Sequence, residues 1–219
     1  MTRQVPGYIA IEGPIGVGKT SLARRIADEF GSDLLLEEPQ DNPFLERFYE
    51  DPRGAALPTQ LFFLMQRVRQ MGQFKQADIF RPVQVADFLI EKDYLFAQAT
   101  LDDDELGLYE QVYEQMTIEA PVPDLVIYLQ APVPTLMDRI KKRGRHYERM
   151  MESAYLQRLN EAYTQFFYHY QDAPLLIVNA EEIDFVNNDA DYRQLLDTIS
   201  SIKTGRHYYN PLPFDLNKT

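Results

Sequence analysis

The sequence lacks cysteine throughout its 219 residues, which excludes disulfides, thiolate metal sites and a cysteine nucleophile. Basic residues are few: 22 Lys and Arg stand against 34 Asp and Glu, giving a formal net charge of -12. So acidic a chain is not expected to bind duplex nucleic acid or an anionic membrane. Runs long enough to span a membrane are also missing, as is the apolar region of a signal peptide. A cytoplasmic enzyme acting on small molecules is therefore predicted.

Hydrophobic residues make up 45% of the chain, enough for a sizeable core, and the length favours one domain over residues 1–219. Short apolar runs alternate with segments of helical periodicity, which predicts an α/β fold with a parallel sheet flanked by helices. The five predicted strands are Tyr8 to Ile11, Leu34 to Leu36, Val83 to Ala86, Leu125 to Leu129 and Leu175 to Val178.

Two longer helices are predicted, over Leu57 to Gln76 and over Asp104 to Glu119, where they would cover one face of the sheet. The second ends before a pair of prolines, which cannot continue a helix. The tail from Lys203 to Thr219 shows no clear period. It is predicted to be a surface strap or a disordered end.

The segment GPIGVGKT matches the phosphate-loop pattern G-x-x-x-x-G-K-[ST] and lies between a predicted strand and a predicted helix. Its glycines let several backbone N–H groups point inward, and the helix N-terminus adds positive potential. Lys19 would reach the β and γ phosphates, and Thr20 would ligate Mg²⁺. A nucleoside triphosphate is thus predicted to bind Gly13, Pro14, Ile15, Gly16, Val17, Gly18, Lys19 and Thr20.

Acidic residues follow two of the predicted strands, at the edge where ligands of parallel sheets bind. Glu37 and Glu38 follow one strand, and Asp87 follows another. A carboxylate there can take a proton from an attacking hydroxyl or hold Mg²⁺. Neighbouring residues of a strand point to opposite faces, so spacing leaves open which glutamate faces the site.

Gln60 and Arg67 lie on one face of the first long helix. An amide and a planar guanidinium can bind a nucleobase edge, although a buried polar pair bonded to backbone is the alternative.

A basic segment lies further along the chain, where residues 139–149 read RIKKRGRHYER. Arginines on a segment that closes over phosphate would stabilise the transition state, whereas the alternative is a solvated helix end.

These stretches together resemble the deoxynucleoside kinase family, in particular its bacterial deoxyadenosine and deoxyguanosine kinase branch. The resemblance covers nearly the whole chain. It implies a P-loop kinase fold with a five-stranded parallel sheet and a basic lid at about residues 139–152. The segments that carry it are GPIGVGKT, EEP at 37–39 with NPFLERFYED after it, TQLFFLMQRVR, KDYLFA, RIKKRGRHYE and EEIDFV.

The resemblance also implies roles for individual residues. Glu38, the carboxylate before the proline, would be the general base. The sugar 3'-hydroxyl would be held by Tyr49 and Glu148, and the nucleobase by Gln60, Arg67 and Asp93. The other implied roles are a lid clamp of Arg143 and Arg145 on the phosphates, a loop at Asp184 and Phe185 over the adenine of the donor, and Mg²⁺ binding by Thr20 and Asp87.

The sequence departs from the family pattern at one position. The family usually has an acidic residue followed by Arg and Ser after the third strand, but this chain reads Asp87, Phe88, Leu89. The arginine that would contact the 5'-oxygen and help position Glu38 is therefore missing. Lys92, about one helical turn further on, is the candidate to supply that cation.

The predicted activity is transfer of the γ-phosphoryl group of ATP to the 5'-hydroxyl of a deoxynucleoside, a nucleotide-salvage reaction needing Mg²⁺. Gln60, Arg67 and Asp93 could bind either purines or cytosine. Deoxyadenosine and deoxyguanosine are the expected substrates because the resembled branch mostly uses purines. The resemblance also implies a homodimer formed through the two long helices. The alternatives are a nucleoside monophosphate kinase similar to thymidylate kinase and a nucleotide-binding regulatory ATPase.

Overall fold

The computed structural model describes residues 6–75, 83–117 and 120–210. Within these ranges the strands are β1 (Tyr8–Glu12), β2 (Asp33–Leu35), β3 (Gln84–Ala86), β4 (Leu125–Gln130), β5 (Leu175–Asn179) and β6 (Arg206–Tyr209). The α-helices there are α1 (Lys19–Phe30), α2 (Leu45–Glu50), α3 (Pro52–Lys75), α4 (Lys92–Thr100), α5 (Asp103–Thr117), α6 (Val133–Arg143), α7 (Ser153–His169) and α8 (Asp189–Ser201).

The described strands form one sheet in the order β2-β3-β1-β4-β5-β6, and every neighbouring pair is parallel. Parallel neighbours require crossover connections, and helices lie between successive strands along the chain. The predicted α/β fold with a parallel sheet flanked by helices is confirmed. The carboxyl ends of β1, β2 and β3 meet at one edge, which brings the residues after them together.

The predicted number of five strands was wrong, because the described residues include a sixth. β6 lies inside the predicted tail and pairs with β5, with Leu175 opposite Arg206 and Val178 opposite Tyr209. An edge strand of the composition RHYY has only one partner and no apolar run, so periodicity did not reveal it. Residues 211–219 of the predicted tail lie outside the described ranges.

The two long helices are present with shifted boundaries. α3 begins five residues earlier than predicted, at Pro52, and is described to Lys75, while α5 is described from Asp103 to Thr117. The predicted ends at 76 and 119 lie outside the described residues. The packing of α3 against α4 and α5 buries Leu64, Ala97 and Tyr109 completely. This packing places Gln60 and Arg67 of α3 at the edge of the sheet where the phosphate loop lies.

Alternation along β1 builds a core on each face of the sheet. Ile9 and Ile11 pack with α1, α6 and α8, whereas Tyr8 and Ala10 pack with α4 and α7. Glu12 continues the second face at the end of the strand, where its side chain is 1% exposed. A buried carboxylate therefore lies directly beneath the phosphate loop. None of the described helices is both long and apolar enough to span a membrane.

Candidate active site

The phosphate loop has the backbone that its glycines predict. Gly13 has φ of 146°, and a Cβ there would lie 2.3 Å from the carbonyl oxygen of Leu129. Any residue other than glycine would clash with that oxygen. Gly18 has φ of 111° and immediately precedes α1, so the N-terminus of that helix opens onto the loop. The loop therefore lies at a helix N-terminus and lines the cavity from Ile15 to Thr20, a position that suits phosphate.

Lys19 folds back over this loop. Its Nζ donates to the carbonyl oxygens of Gly13 at 2.6 Å and Pro14 at 3.3 Å. Burial, together with the nearby charge of Lys92, lowers the pKa of Lys19 to about 8. Arriving phosphates would raise that pKa again, because an anion favours the charged ammonium form.

The two predicted Mg²⁺ ligands lie side by side. The Thr20 hydroxyl donates to Asp87 Oδ2 at 2.5 Å, and the backbone N–H of Glu37 donates to Asp87 Oδ1 at 2.7 Å. Burial, and then the charge of Glu37, raises the pKa of Asp87. A buried carboxylate whose pKa is raised next to a hydroxyl oxygen suits a hard cation that keeps several waters, as Mg²⁺ does. Thr20 and Asp87 thus fit the predicted ion.

An ionic cluster lies between the loop and α3. Lys92 Nζ donates to both carboxylate oxygens of Glu37, at 2.9 and 2.8 Å, and lies 4.0 Å from Glu12 Oε1. Arg67 forms ion pairs with Glu37 and with Asp93. Burial alone would raise the pKa of Glu37, but the charges of Lys92, Arg67 and Lys19 outweigh it and hold that pKa well below its usual range. Glu37 is therefore ionised at neutral pH.

The structure places Glu37 in this cluster, and not Glu38. Glu37 is held inward because its N–H bonds Asp87 and its carboxylate meets two cations. The next side chain along, Glu38, points to the exposed rim of the same cavity. Among the described residues, no hydrogen bond or salt bridge engages the Glu38 carboxylate. The carboxylate that the resemblance assigned as base is thus not the one beside Lys92.

Phe88 stands where the family arginine was expected, and it is fully buried. The Arg67 guanidinium lies over its ring, 5.5 Å from the centroid. Lys92 instead brings a cation to the site from the first turn of α4. The structure pairs Lys92 with Glu37 instead of Glu38, and its replacement of the missing arginine stays a prediction.

The predicted base-binding residues converge at the deep end of the cavity. Gln60, Arg67 and Asp93 are 2%, 4% and 0% exposed. Within the described ranges, Asp93 Oδ2 and Arg67 Nε are buried without a protein partner. Phe63 and Phe96 line the same space. Aromatic side chains beside unpaired donors and acceptors form a site suited to a flat heterocycle.

The predicted sugar and lid residues also meet. Arg143 pairs with Glu148, with its Nε donating to Oε2 at 3.1 Å, and Arg145 donates to the Tyr147 hydroxyl at 2.8 Å. Tyr49 lines the cavity with them, and burial raises its pKa well above the usual range, with Tyr155 and then Glu148 adding to the effect. Gly144 ends α6 with φ of 68°, which turns the chain into the segment that carries Arg145 and Glu148.

The loop predicted to cover the donor base lies immediately before α8. The Phe185 ring is 2% exposed and packs against Gly18, where a Cβ would lie 3.1 Å from its Cζ. Asp184 accepts hydrogen bonds from the N–H groups of Val186 and Asn187. Arg25 of α1 binds the carbonyl oxygens of Phe185 and Val186. Both predicted residues therefore shape this loop beside the phosphate site, with the Phe185 side chain acting as core.

One cavity of about 1070 Å³ connects these parts. It is large enough for a nucleotide and a second small molecule. Sequence reasoning assigned no role to Phe96, which lines this cavity, or to Glu12, which lies below the phosphate loop and accepts from the N–H of Gly13. Arg139 of the predicted lid bonds the carbonyl oxygens of Val17 and Ala180. Glu12 directly follows the predicted strand Tyr8 to Ile11, so the criterion that found Asp87 could have found it as well.

Comparisons with known proteins find similarity over most of the chain. The family model described as deoxynucleoside kinase matches residues 9–203. The chain is 37% identical over 196 residues to deoxyguanosine kinase of Bacillus subtilis (strain 168), covering 86% of this chain and 93% of the relative. It is 30% identical over 205 residues to deoxyadenosine kinase of Lactobacillus acidophilus, covering 87% and 94%.

A similar solved structure is that of deoxyadenosine kinase from M. mycoides with bound dATP. It has a TM-score of 0.78 and 27% sequence identity, and the match covers 89% of this chain and 100% of the other. The predicted P-loop kinase fold and the resemblance inferred from the motifs are both confirmed.

Proposed function

Because the chain belongs to the deoxynucleoside kinase family, we propose that it transfers the γ-phosphoryl group of ATP to the 5'-hydroxyl of a purine deoxynucleoside. The observation that carries the proposal is the ionic cluster of Glu37, Lys92 and Arg67. It lies between a phosphate loop and a buried base site within one cavity. An attacking hydroxyl held there would face the phosphate loop.

In the proposed reaction, Glu37 accepts a hydrogen bond from the 5'-hydroxyl and then its proton as the phosphoryl group transfers. The transition state of such transfers is loose, so the proton leaves late and the carboxylate acts mainly by orienting the nucleophile. Its low pKa is compatible with that role. Lys92 keeps the carboxylate ionised and aimed, while Lys19, Arg143 and Arg145 neutralise phosphate charge. Mg²⁺, held by Thr20 and Asp87, would offset further charge on the donor.

The rest of the site completes the proposal. Tyr49 and Glu148 hold the 3'-hydroxyl, and Gln60, Arg67 and Asp93 bind the base. Residues 13–20 hold the triphosphate, with the loop at Asp184 and Phe185 beside the donor base. A single domain, a cytoplasmic location and a homodimer stay predictions. Met65 of α3 and Leu108 of α5, which are 48% and 51% exposed, are apolar side chains that a dimer interface could bury.

The proposal is tested by ADP release from ATP and Mg²⁺ with deoxyadenosine, deoxyguanosine, deoxycytidine, thymidine and dTMP in turn. We expect the purine deoxynucleosides to give the highest kcat/KM and dTMP to give no stimulation. The deep end of the cavity supports this expectation, because Arg67 is committed to Glu37 and Asp93 instead of being free for an acceptor phosphate. Equal ADP release without any acceptor would instead favour a regulatory ATPase.

Lys92→Met is expected to lower kcat about ten- to a hundredfold, because one charge-assisted hydrogen-bond partner of Glu37 is lost. The change removes the largest charge that lowers the pKa of Glu37, so that pKa rises. Activity of the variant should consequently fall as the pH is lowered through the raised pKa, where the wild type remains active. Lys92→Arg should restore part of kcat and the wild-type pH profile. Unchanged kcat, KM and pH profile in Lys92→Met would refute the positioning role.

A further inference from the structure

Guanine and adenine present different hydrogen-bonding groups to the base site, and the inference drawn from this difference rests on the proposed function. At its Watson–Crick edge guanine offers one acceptor, O6, and two donors, the N1–H and the N2 amino group. Adenine offers a donor, the N6 amino group, beside an acceptor, N1. An amide side chain could serve either base, depending on which end it presents. The orientation of the Gln60 amide therefore decides which of the two bases it can pair with.

Thr100, the last residue of α4, determines that orientation. Its hydroxyl donates to the carbonyl oxygen of Phe96 at 2.7 Å, one turn earlier in the helix. A hydroxyl has a single proton, so the Thr100 oxygen can only accept from any other partner. Gln60 Nε2 lies 3.2 Å from that oxygen and donates to it. Because an amide is oriented by its hydrogen-bond network, the Gln60 carbonyl oxygen is turned away from Thr100 and serves as an acceptor for a ligand.

The polar groups at this end of the cavity then match one purine better than the other. Gln60 Oε1 and the unpaired Asp93 Oδ2 are two acceptors. Arg67 is a donor whose Nε has no protein partner in the described part of the chain. Two acceptors and one donor complement the edge of guanine. With adenine, its N1 acceptor would face another acceptor, and a buried polar group left unpaired is costly.

We propose that Thr100, acting through Gln60, makes this site select guanine over adenine. Thr100 is not among the residues that line the cavity, so it is a positioning residue and touches no substrate. Guanine would make one buried hydrogen bond where adenine would place its N1 acceptor against another acceptor. This difference corresponds to a preference for deoxyguanosine of roughly tenfold or more in kcat/KM.

The test compares Thr100→Val with Thr100→Ser. Valine has nearly the same shape but cannot accept the amide hydrogen bond, so Gln60 becomes free to present its NH₂ group to adenine. The ratio of kcat/KM for deoxyguanosine to that for deoxyadenosine should fall about tenfold in Thr100→Val, and Thr100→Ser should keep the wild-type ratio within about twofold. A structural defect alone would lower kcat/KM for both substrates by the same factor and leave their ratio unchanged. An unchanged ratio in Thr100→Val overturns the proposal.

Substrate analogues with the wild-type enzyme give a second test that does not depend on a variant folding. Deoxyinosine keeps N1–H and O6 and should behave like deoxyguanosine, whereas 2-aminopurine deoxyriboside lacks the N1 proton and should behave like deoxyadenosine. The reverse order overturns the proposal. Deoxyadenosine turned over as well as deoxyguanosine would refute this inference but leave the proposed function standing. No phosphorylation of any purine deoxynucleoside would refute the proposed function itself.

Discussion

Replacing Glu37 with glutamine is expected to lower kcat about 10²- to 10⁴-fold, the range for loss of a general base. The amide keeps the shape of the side chain but cannot take the proton of the 5'-hydroxyl. It also leaves Lys92 and Arg67 without their shared anion. The measurement is steady-state ADP release with saturating deoxynucleoside.

Glu38→Gln is the matched control, because Glu38 is the adjacent residue, has the same chemistry and lies at the rim of the same cavity. We expect its kcat to stay within a few-fold of the wild type. Thermal melting with and without ATP verifies that each variant still folds and binds the donor. Should Glu38→Gln lose activity while Glu37→Gln keeps it, the base would be Glu38, as the family resemblance implies.

Arg143→Ala is expected to lower kcat about 10³-fold, as removal of an arginine that stabilises transferring phosphate does. Arg143 is paired with Glu148, so its substitution also frees a carboxylate that we assign to the sugar. The loss should nevertheless lie in kcat more than in the KM for deoxynucleoside, because the phosphate charge develops in the transition state.

Lys141→Ala is the control for this second variant. Lys141 is an exposed cation in the same last turn of α6 but does not line the cavity. Lys141→Ala should therefore keep the wild-type kcat, because we attribute the loss in Arg143→Ala to contact with the phosphates and not to the lower positive charge of the lid. Equal losses of kcat in Arg143→Ala and Lys141→Ala would show that Arg143 acts only through the summed positive charge of the lid.

The sequence predicted which residues meet in the cavity better than how those residues pair with one another. Gln60, Arg67 and Asp93 do meet at one end of the cavity, as the family resemblance implied. Their bonds to one another could not be read from spacing, because Arg67 and Asp93 are brought together by the packing of α3 against α4. Likewise, Thr100 gave no sequence signal, since its effect depends on a contact with a helix 40 residues away.

What the sequence alone determined was the phosphate loop. Its conformation depends on glycines that adopt positive φ and on the helix that starts at Lys19, both of which are local properties of consecutive residues. Tertiary structure decided which glutamate faces the cations. The N–H of Glu37 bonds Asp87 and its carboxylate bonds Lys92, 50 and 55 residues away, and such distant partners are set only when the strands pair and the helices pack.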